Sequence, residues 1–436
     1  MRKLTILLTL LTLSAELWAQ TQSVTYIDEN GVAQTVTATV ITNSTTTLNA
    51  GWYVVTGTDV RTGSLTCNGE VHLILADGAK LSVTGAWRQA GIQVSGDGNF
   101  LTIYGQTAQS GQLIATGGDG AAGIGGGDSG SGSNITINGG IVTATGGDGA
   151  AGIGGGYNGS GSNITINGGT VWTKGGVYAA GIGGGNRSIG SYITINGGMV
   201  TATGGVSAAG IGGGRYSSGS NITINSGNIH STGGKSAAGI GGGQYSFGSN
   251  ITINGGMVTA TGGEYGSGIG GGEDGSGSDI FMPDNYRIKA DGSFIHNDGT
   301  DLAGSLAGKQ YVEAYPDGLL NERNAAFAAI SAAVEGIADE AILAMAAAGM
   351  EDVFQAEVSG DIEASKQKTL SDLQYVISFY NSGKAAGKAE GIEEGKAEAL
   401  GTMGEPCEDC PAIDVKKGTT TIRLYSPEKV EFKKME

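Results

Sequence analysis

The central part of the chain repeats itself every 29 residues, and this period restricts the fold more than any other feature. The isoleucine of a Gly-Ile-Gly-Gly-Gly block recurs without a slip at Ile124, Ile153, Ile182, Ile211, Ile240 and Ile269. The asparagine that closes an Ile-Thr-Ile-Asn segment keeps the same spacing at Asn138, Asn167, Asn196, Asn225 and Asn254. A fixed period of this length predicts identical stacked units, each of which contacts only its neighbours.

Each unit contains three short segments separated by Gly and Ser, which in one unit are residues 121–124, 135–138 and 142–145. The last two alternate apolar and polar residues, a pattern typical of half-buried strands, and the first is a small-residue strand or bend. The side chains expected to point inward are Ile124, Ile135, Ile137, Val142 and Ala144. The sequence therefore predicts a mainly β protein, a right-handed parallel β-helix of 29-residue coils in which backbone hydrogen bonds join neighbouring coils.

Composition excludes several classes of protein. The 84 glycines come with only 5 prolines and lack the every-third-residue period of collagen. The 24 basic and 41 acidic residues give a net charge of −17, which repels phosphate backbones, so we expect no nucleic-acid partner. Asp119 and Asp148 are replaced in later coils by Val177, Val206, Lys235 and Glu264, so we expect neither a calcium ladder nor a cofactor.

The first 19 residues have the pattern of a signal peptide, with Arg2 and Lys3 before an apolar run and Ala19 before the expected cleavage site. This predicts export, with a secreted or cell-surface location and the periplasm as an alternative. No later apolar run is long enough for a transmembrane segment.

Changes in composition predict the other boundaries. We expect an N-terminal hairpin and cap (20–50), irregular first coils (51–118), regular coils (119–280), a divergent last coil or cap (281–320), a small α-helical domain (321–380), a helix or linker rich in Gly, Ala, Lys and Glu (381–411), and a short C-terminal hairpin (412–436).

Three cysteines are present. Cys407 and Cys410 form a C-x-x-C motif, which fits a disulfide clip, a redox pair or half of a zinc site. Their acidic neighbours Glu408 and Asp409 disfavour a reactive thiolate and so favour the clip. Cys67 alternates with Leu65 in a predicted strand, and we expect it to be buried.

The side chains that vary from coil to coil are the candidate binding residues. They follow each Gly-Gly-Gly, or precede the next Gly-Ile block, and so lie at predicted corners. Aromatic and hydrogen-bonding groups spaced about 5 Å apart along a rigid edge suit a polymeric ligand. The candidates are Tyr157, Asn158, Tyr178, Asn186, Arg187, Arg215, Tyr216, Gln244 and Tyr245, with Trp172 on a nearby strand.

Two other interpretations remain open at this point. A polysaccharide lyase or hydrolase needs paired carboxylates or a base with a cationic clamp on one face, and the repeats do not supply such a cluster, so we expect no catalytic residues and no metal site. Alternatively, the variable positions simply tolerate any solvated residue, and the helix is a passive spacer that displays the helical domain.

A resemblance adds to this interpretation. From Gly51 the chain reads Gly-Trp-Tyr-Val-Val, then His-Leu-Ile-Leu-Ala-Asp-Gly at 72–78, then Leu-Thr-Ile-Tyr-Gly-Gln at 101–106, before the Ala-Gly-Ile-Gly-Gly-Gly coils. This order resembles secreted bacterial proteins described as containing a carbohydrate-binding domain, with a β-helix of pectin-lyase-like shape. The resemblance covers residues 45 to 280. It implies the β-helix and a glycan or cell-surface ligand, and it supplies no binding residues to carry over.

Overall fold

A computed structural model of the chain describes residues 20–386, apart from 97, 284–285, 292, 296–299 and several positions between 335 and 361, together with 413–417 and 420–424. The predicted signal peptide, Cys407 and Cys410 lie outside the described residues. The chain divides into two units, one ending at Tyr315 and the other beginning at Pro316. No helix among the described residues is long and apolar enough to cross a membrane.

The N-terminal hairpin consists of β1 (Thr21–Ile27) and β2 (Ala33–Val40), paired antiparallel around Asn30 and Gly31. The Asp28 carboxylate accepts hydrogen bonds from the Asn30 and Val32 amides at 3.0 and 2.8 Å, which fixes the turn. β2 pairs with the following strand over only two residues. The sequence predicts that this hairpin belongs to a cap. It packs on outward-facing side chains of the first coils, among them Val54, Ile74 and Tyr104.

The irregular first coils follow the hairpin. Their strands are β3 (Thr47–Val55), β4 (Thr58–Thr62), β5 (Leu65–Leu75), β6 (Lys80–Thr84), β7 (Ile92–Gln93), β8 (Phe100–Gly105) and β9 (Gln112–Thr116). They pair in parallel with one another and with the regular coils that follow. Cys67 on β5 is buried as expected, and burial raises the pKa of its thiol to about 12.

The regular coils form three parallel ladders. The short ladder has two-residue strands, namely β10 (Ile124–Gly125), β13 (Ile153–Gly154), β16 (Ile182–Gly183), β19 (Ile211–Gly212), β22 (Ile240–Gly241) and β25 (Ile269–Gly270). The long ladder has β11 (Gly132–Ile137), β14 (Gly161–Ile166), β17 (Gly190–Ile195), β20 (Gly219–Ile224), β23 (Gly248–Ile253) and β26 (Gly277–Phe281). The middle ladder has β12 (Ile141–Thr145), β15 (Thr170–Lys174), β18 (Met199–Thr203), β21 (Asn228–Thr232) and β24 (Met257–Thr261).

Strands of one ladder pair in register with the equivalent residue one coil away, as Ile135 does with Ile164. The five side chains predicted to point inward are fully buried and belong to one continuous core. Stacked isoleucines and valines exclude water from the axis, and this burial is the main stabilising term. The prediction of a right-handed parallel β-helix is confirmed, and it has about seven turns. The small-residue segment of each coil is a strand only at its Ile-Gly pair.

Glycine is required where neighbouring coils come closest. A Cβ on Gly214 would lie 1.8 Å from the carbonyl oxygen of Gly185 in the adjacent coil, far inside van der Waals contact. Gly212 has φ of +133° as well, a conformation that other residues rarely adopt. The Gly-Gly-Gly segment therefore lets the corners stack as tightly as the strands.

The solenoid ends in strands that break the repeat. β27 (Tyr286–Ala290) and β28 (Ser293–Ile295) form an antiparallel pair, and a short helix α1 (Ala303–Leu306) follows. β29 (Tyr311–Pro316) then pairs antiparallel with β24, as in the contact of Glu313 with Thr259. This strand covers the edge that the middle ladder leaves open at its last coil.

The second unit begins at Pro316 and is mainly helical in its described residues. It contains α2 (Asp317–Ala333) and α3 (Ile362–Ala386), together with the β-hairpin of β30 (Ile413–Lys417) and β31 (Thr420–Leu424). The buried side chains of its helical core include Ala326, Ile330, Met345, Leu373 and Val376. Their spacing of three to four residues along α2 and α3 explains why these segments are helical.

Candidate functional site

A corner loop follows each short-ladder strand and carries the variable side chains. The residue after each Gly-Gly-Gly belongs to what we name the glycine-following column, which consists of Asp128, Tyr157, Asn186, Arg215, Gln244 and Glu273. The next residue has a left-handed backbone, with φ between 52° and 59°. This left-handed column consists of Ser129, Asn158, Arg187, Tyr216, Tyr245 and Asp274.

The second predicted column lies directly beside the first. This upstream column, four residues before each short-ladder isoleucine, contains Tyr178, Ser207, Ser236 and Tyr265. The Arg215 amide donates a hydrogen bond to the carbonyl of Tyr178 in the preceding coil at 2.9 Å, and the next coil repeats this bond with equivalent residues. Left-handed residues donate in the opposite direction, as Tyr216 does to the Gln244 carbonyl at 3.1 Å. Each loop is thus bonded to both neighbouring loops, which holds the side chains in fixed rows.

Four of the predicted residues form one group, the tyrosine–arginine cluster of Tyr178, Arg215, Tyr216 and Tyr245. The Arg215 guanidinium carbon lies 4.7 Å from the ring centre of Tyr178 and 4.2 Å from that of Tyr216, within the range of cation–π attraction. Arg215 Nη2 also donates to the Tyr216 hydroxyl. The Tyr216 and Tyr245 rings are nearly parallel, with an interplanar angle of 6° and centroids 5.8 Å apart. The two rings remain 40% and 50% exposed, so the cluster presents aromatic surface to solvent.

Two polar atoms in these rows are buried without a hydrogen-bond partner among the described residues, Arg215 Nε and Asn186 Oδ1. The Asn186 side chain is only 6% exposed. A desolvated polar atom without a partner costs about 1–3 kcal/mol, and such atoms in a folded protein call for an explanation. Both of them occur in the glycine-following column, next to the exposed rings.

The other predicted residues lie around the cluster or apart from it. Tyr157 packs over Gly149, where an added Cβ would lie 2.5 Å from its ring. Asn158 and Arg187 are exposed in the left-handed column, and Gln244 donates to the Glu273 carboxylate at 2.8 Å. Trp172 is exposed on the outward face of β15, in the other sheet. Within the described part of the chain, it makes no ring contact with the cluster.

Two ion pairs lie near the ends of these rows. Arg88 lies 2.5 Å from the Asp128 carboxylate at one end. Toward the other end, Lys235 lies 3.3 Å from Glu264, and their hydrogen bond raises the pKa of the exposed Lys235 amine.

Sequence reasoning missed several features of this surface. Ile189 and Phe247 are exposed in the corner loops, two residues after the left-handed column, and so enlarge the apolar surface near Arg187 and Tyr245. Beyond the next strand, the asparagines at the ends of the long-ladder strands bond to each other, as Asn196 does to Asn167 at 2.7 Å. The asparagine at the same position in five successive repeats is the sequence signal for this side-chain ladder.

The described residues contain no group of three or more His, Cys, Asp or Glu side chains that could hold a metal ion. The carboxylates of the corner rows lie at their ends, at Asp128, Glu273 and Asp274. The corner rows offer aromatic rings for stacking, and a guanidinium and amides for hydrogen bonding. These groups favour reversible binding to a polar, ring-containing ligand.

Comparison with known proteins agrees with the fold. Five segments match the beta helix repeat. They are residues 135–157, 164–186, 193–215, 222–244 and 251–273. Each matched segment begins at an inward isoleucine of the long ladder and ends in the glycine-following column. No curated protein and no solved structure gives a significant match. The beta helix repeat establishes an architecture, and the chemistry has to be argued from the corner residues.

Proposed function

We propose that this protein is an exported, non-catalytic β-helix that binds carbohydrate or another cell-surface ligand through its corner loops. The observation that carries the proposal is the exposed tyrosine–arginine cluster on loops that are hydrogen-bonded on both sides. Aromatic faces flanked by hydrogen-bonding groups match sugar rings, which have apolar faces and polar edges. The predicted signal peptide supports placing this surface outside the cytoplasm.

Backbone conformation supports the same conclusion. Tyr216 and Tyr245 have φ of +58° and +57°, which costs a residue with a bulky side chain about 1–2 kcal/mol. Other coils have Ser129, Asn158 and Asp274 at the equivalent positions, and short polar side chains tolerate this conformation better. Tyr192 has the same backbone strain outside the corner columns, so the strain at Tyr216 and Tyr245 supports the proposal only together with their ring contacts.

The geometry favours an elongated ligand. Neighbouring coils are about 4.8 Å apart, so a chain molecule lying along the solenoid axis would meet one new corner loop per coil. Tyr178, Arg215 and Tyr245 belong to three successive corner loops along that axis. A rigid row loses little conformational entropy when it binds, which strengthens several weak contacts together.

The proposal is tested by comparing two tyrosine variants on a glycan array. The double variant Tyr216→Ala/Tyr245→Ala removes both exposed rings, and we expect it to weaken glycan binding at least tenfold, because each stacking contact contributes about 1 kcal/mol. Tyr192→Ala is the matched control. Tyr192 is also exposed and has φ of +53°, but it lies outside the corner columns.

Equal binding by the double variant and the native protein would show that the cluster is not the site. An absence of binding by the native protein, in a sample whose circular dichroism shows a folded β-helix, would contradict glycan binding and favour the spacer. Equal losses in the double variant and in Tyr192→Ala would mean that the effect is not specific to the cluster.

A further inference from the structure

Charge is distributed very unevenly along this chain. Residues 149–263, which span the middle coils, contain the four basic residues Lys174, Arg187, Arg215 and Lys235 and no aspartate or glutamate. This stretch therefore carries +4, while the rest of the chain carries −21. A carboxylate-free stretch of this length in so acidic a protein creates a local positive potential around its corner loops.

The two arginines of this stretch are neighbours in the corner rows. The Arg187 amide donates a hydrogen bond to the Arg215 carbonyl at 3.0 Å, so their backbones are joined across one coil-to-coil contact. Arg61, Arg88 and Lys235 all have carboxylate partners. In the described part of the chain, no carboxylate lies within salt-bridge distance of Arg187 or Arg215.

Arg215 is also held in place before any ligand arrives. The rings of Tyr178 and Tyr216 flank its guanidinium, the Tyr216 hydroxyl accepts a hydrogen bond from it, and its Nε is desolvated without an acceptor. A buried donor that lacks an acceptor raises the free energy of the unliganded site. A planar guanidinium matches the paired oxygens of a carboxylate or sulfate group, and the attraction is stronger next to a low-dielectric aromatic surface.

We infer that the corner site selects anionic glycans, with carboxylate or sulfate groups bound by Arg215 and Arg187 while sugar faces stack on Tyr216 and Tyr245. This inference rests on the proposed function and specifies its ligand class. Carboxylate and sulfate offer the arginines the same chemistry, so the test separates these two sources. Physiological salt screens exposed charges over about 8 Å, so acidic residues several coils away act weakly on Arg215, and the nearest carboxylates in the corner rows are Glu273 and Asp274, one coil beyond Tyr245.

Single-stranded nucleic acid also combines anionic groups with stacking rings. The net charge of −17 opposes a long phosphate chain that extends beyond the middle coils, so a short run of acidic sugars fits this surface better. An oligothymidylate probe is therefore included in the experiment as a competing outcome.

The experiment uses an array on which each neutral glycan is printed beside its uronate-bearing and sulfated counterparts. We expect the native protein to prefer charged glycans at least tenfold, and raised salt to reduce this preference. Arg215→Gln should reduce binding to the charged members about tenfold. Arg215→Lys keeps the charge without the planar fork and should lose less. Lys174→Gln removes a charge from the same stretch but away from the corner, and it should stay within about twofold of the native protein.

The outcomes separate this inference from the proposal on which it depends. Equal binding of neutral and charged glycans, unchanged in Arg215→Gln, would overturn the anionic preference while glycan binding stands. Equal effects of Arg215→Gln and Lys174→Gln would show that charged glycans are attracted by the overall charge of the stretch and not by the corner arginines. This result would also overturn the anionic preference of the corner site. Preferred binding of oligothymidylate would show that the ligand is a nucleic acid and not an anionic glycan. An absence of binding to every probe would contradict both the anionic preference and the proposed glycan binding. Melting curves confirm that each variant is folded, and the salt dependence of the native protein needs no variant.

Discussion

At the scale of single residues, the corners depend on side chains that tolerate a left-handed backbone. A second set of left-handed positions precedes the inward isoleucines of the long ladder, and it contains Asn134, Asn163, Tyr192, Asn221 and Asn250. The amide of Asn163 bonds to Asn134 at 3.3 Å, and that of Asn250 bonds to Asn221 at 2.5 Å. Tyr192 interrupts this row with an exposed ring, so its coil loses both the favourable backbone preference and the amide contacts.

We expect Tyr192→Asn to stabilise the protein by about 1 kcal/mol, because asparagine favours this backbone region and restores the row between Asn163 and Asn221. The 61% exposed ring of Tyr192 contributes little burial to lose. The midpoint of urea denaturation measures the effect. Tyr192→Ala serves as the control, since it removes the ring without supplying an amide. If Tyr192→Asn is no more stable than Tyr192→Ala, the asparagine row contributes nothing to the stability of the protein.

The residue scale also shows where prediction from sequence stops. Nine of the ten binding candidates lie at predicted corners, and four of the ten meet in the tyrosine–arginine cluster. Repetition located the columns, because any residue 29 positions away must occupy an equivalent place. It did not show that the upstream and glycine-following columns touch, since that contact depends on how one corner folds back on the coil before it. Trp172 was near in sequence, yet it belongs to another face.

At the scale of elements, side-chain ladders reinforce the parallel strands. Asn167, Asn196, Asn225 and Asn254 each donate from their amide nitrogen to the amide oxygen of the asparagine one coil earlier, at 2.7 to 2.8 Å. Each amide inside the row is both donor and acceptor. Removing one member therefore breaks two hydrogen bonds and leaves two neighbours partly unpaired.

Asn196→Ala should destabilise the β-helix by about 1 kcal/mol, because it removes the bonds to Asn167 and from Asn225 at a position that is partly open to solvent. Thermal melting followed by circular dichroism gives the change. Thr194→Ala, two residues earlier on the outward face of β17, is the matched control and should cost less. Equal losses in the two variants would show that the asparagine ladder has no special role.

At the scale of the whole molecule, the fold is a stack in which each coil is bonded to the coils before and after it. In-register pairs such as Ile153 with Ile182 repeat from coil to coil, and the irregular first coils and β29 close the two ends. The period in the sequence was sufficient to predict this architecture. The strands that close the two ends could not be predicted from this period, because a terminating strand does not share the sequence pattern of the repeat.

This modularity predicts that one complete coil can be removed. Deleting residues 125–153 joins Ile124 to Gly154, keeps every later residue in register, and places Gly120 under Tyr157 where Gly149 was. We expect a folded β-helix with a lower melting temperature, because one coil-to-coil interface is lost, and with glycan binding retained, since Tyr178 to Tyr245 remain intact. Deleting only residues 125–138 is the control, because it shifts the later strands out of phase and should abolish cooperative melting. A folded half-coil deletion, or an unfolded full-coil deletion, would show that stability does not depend on stacking of equivalent residues.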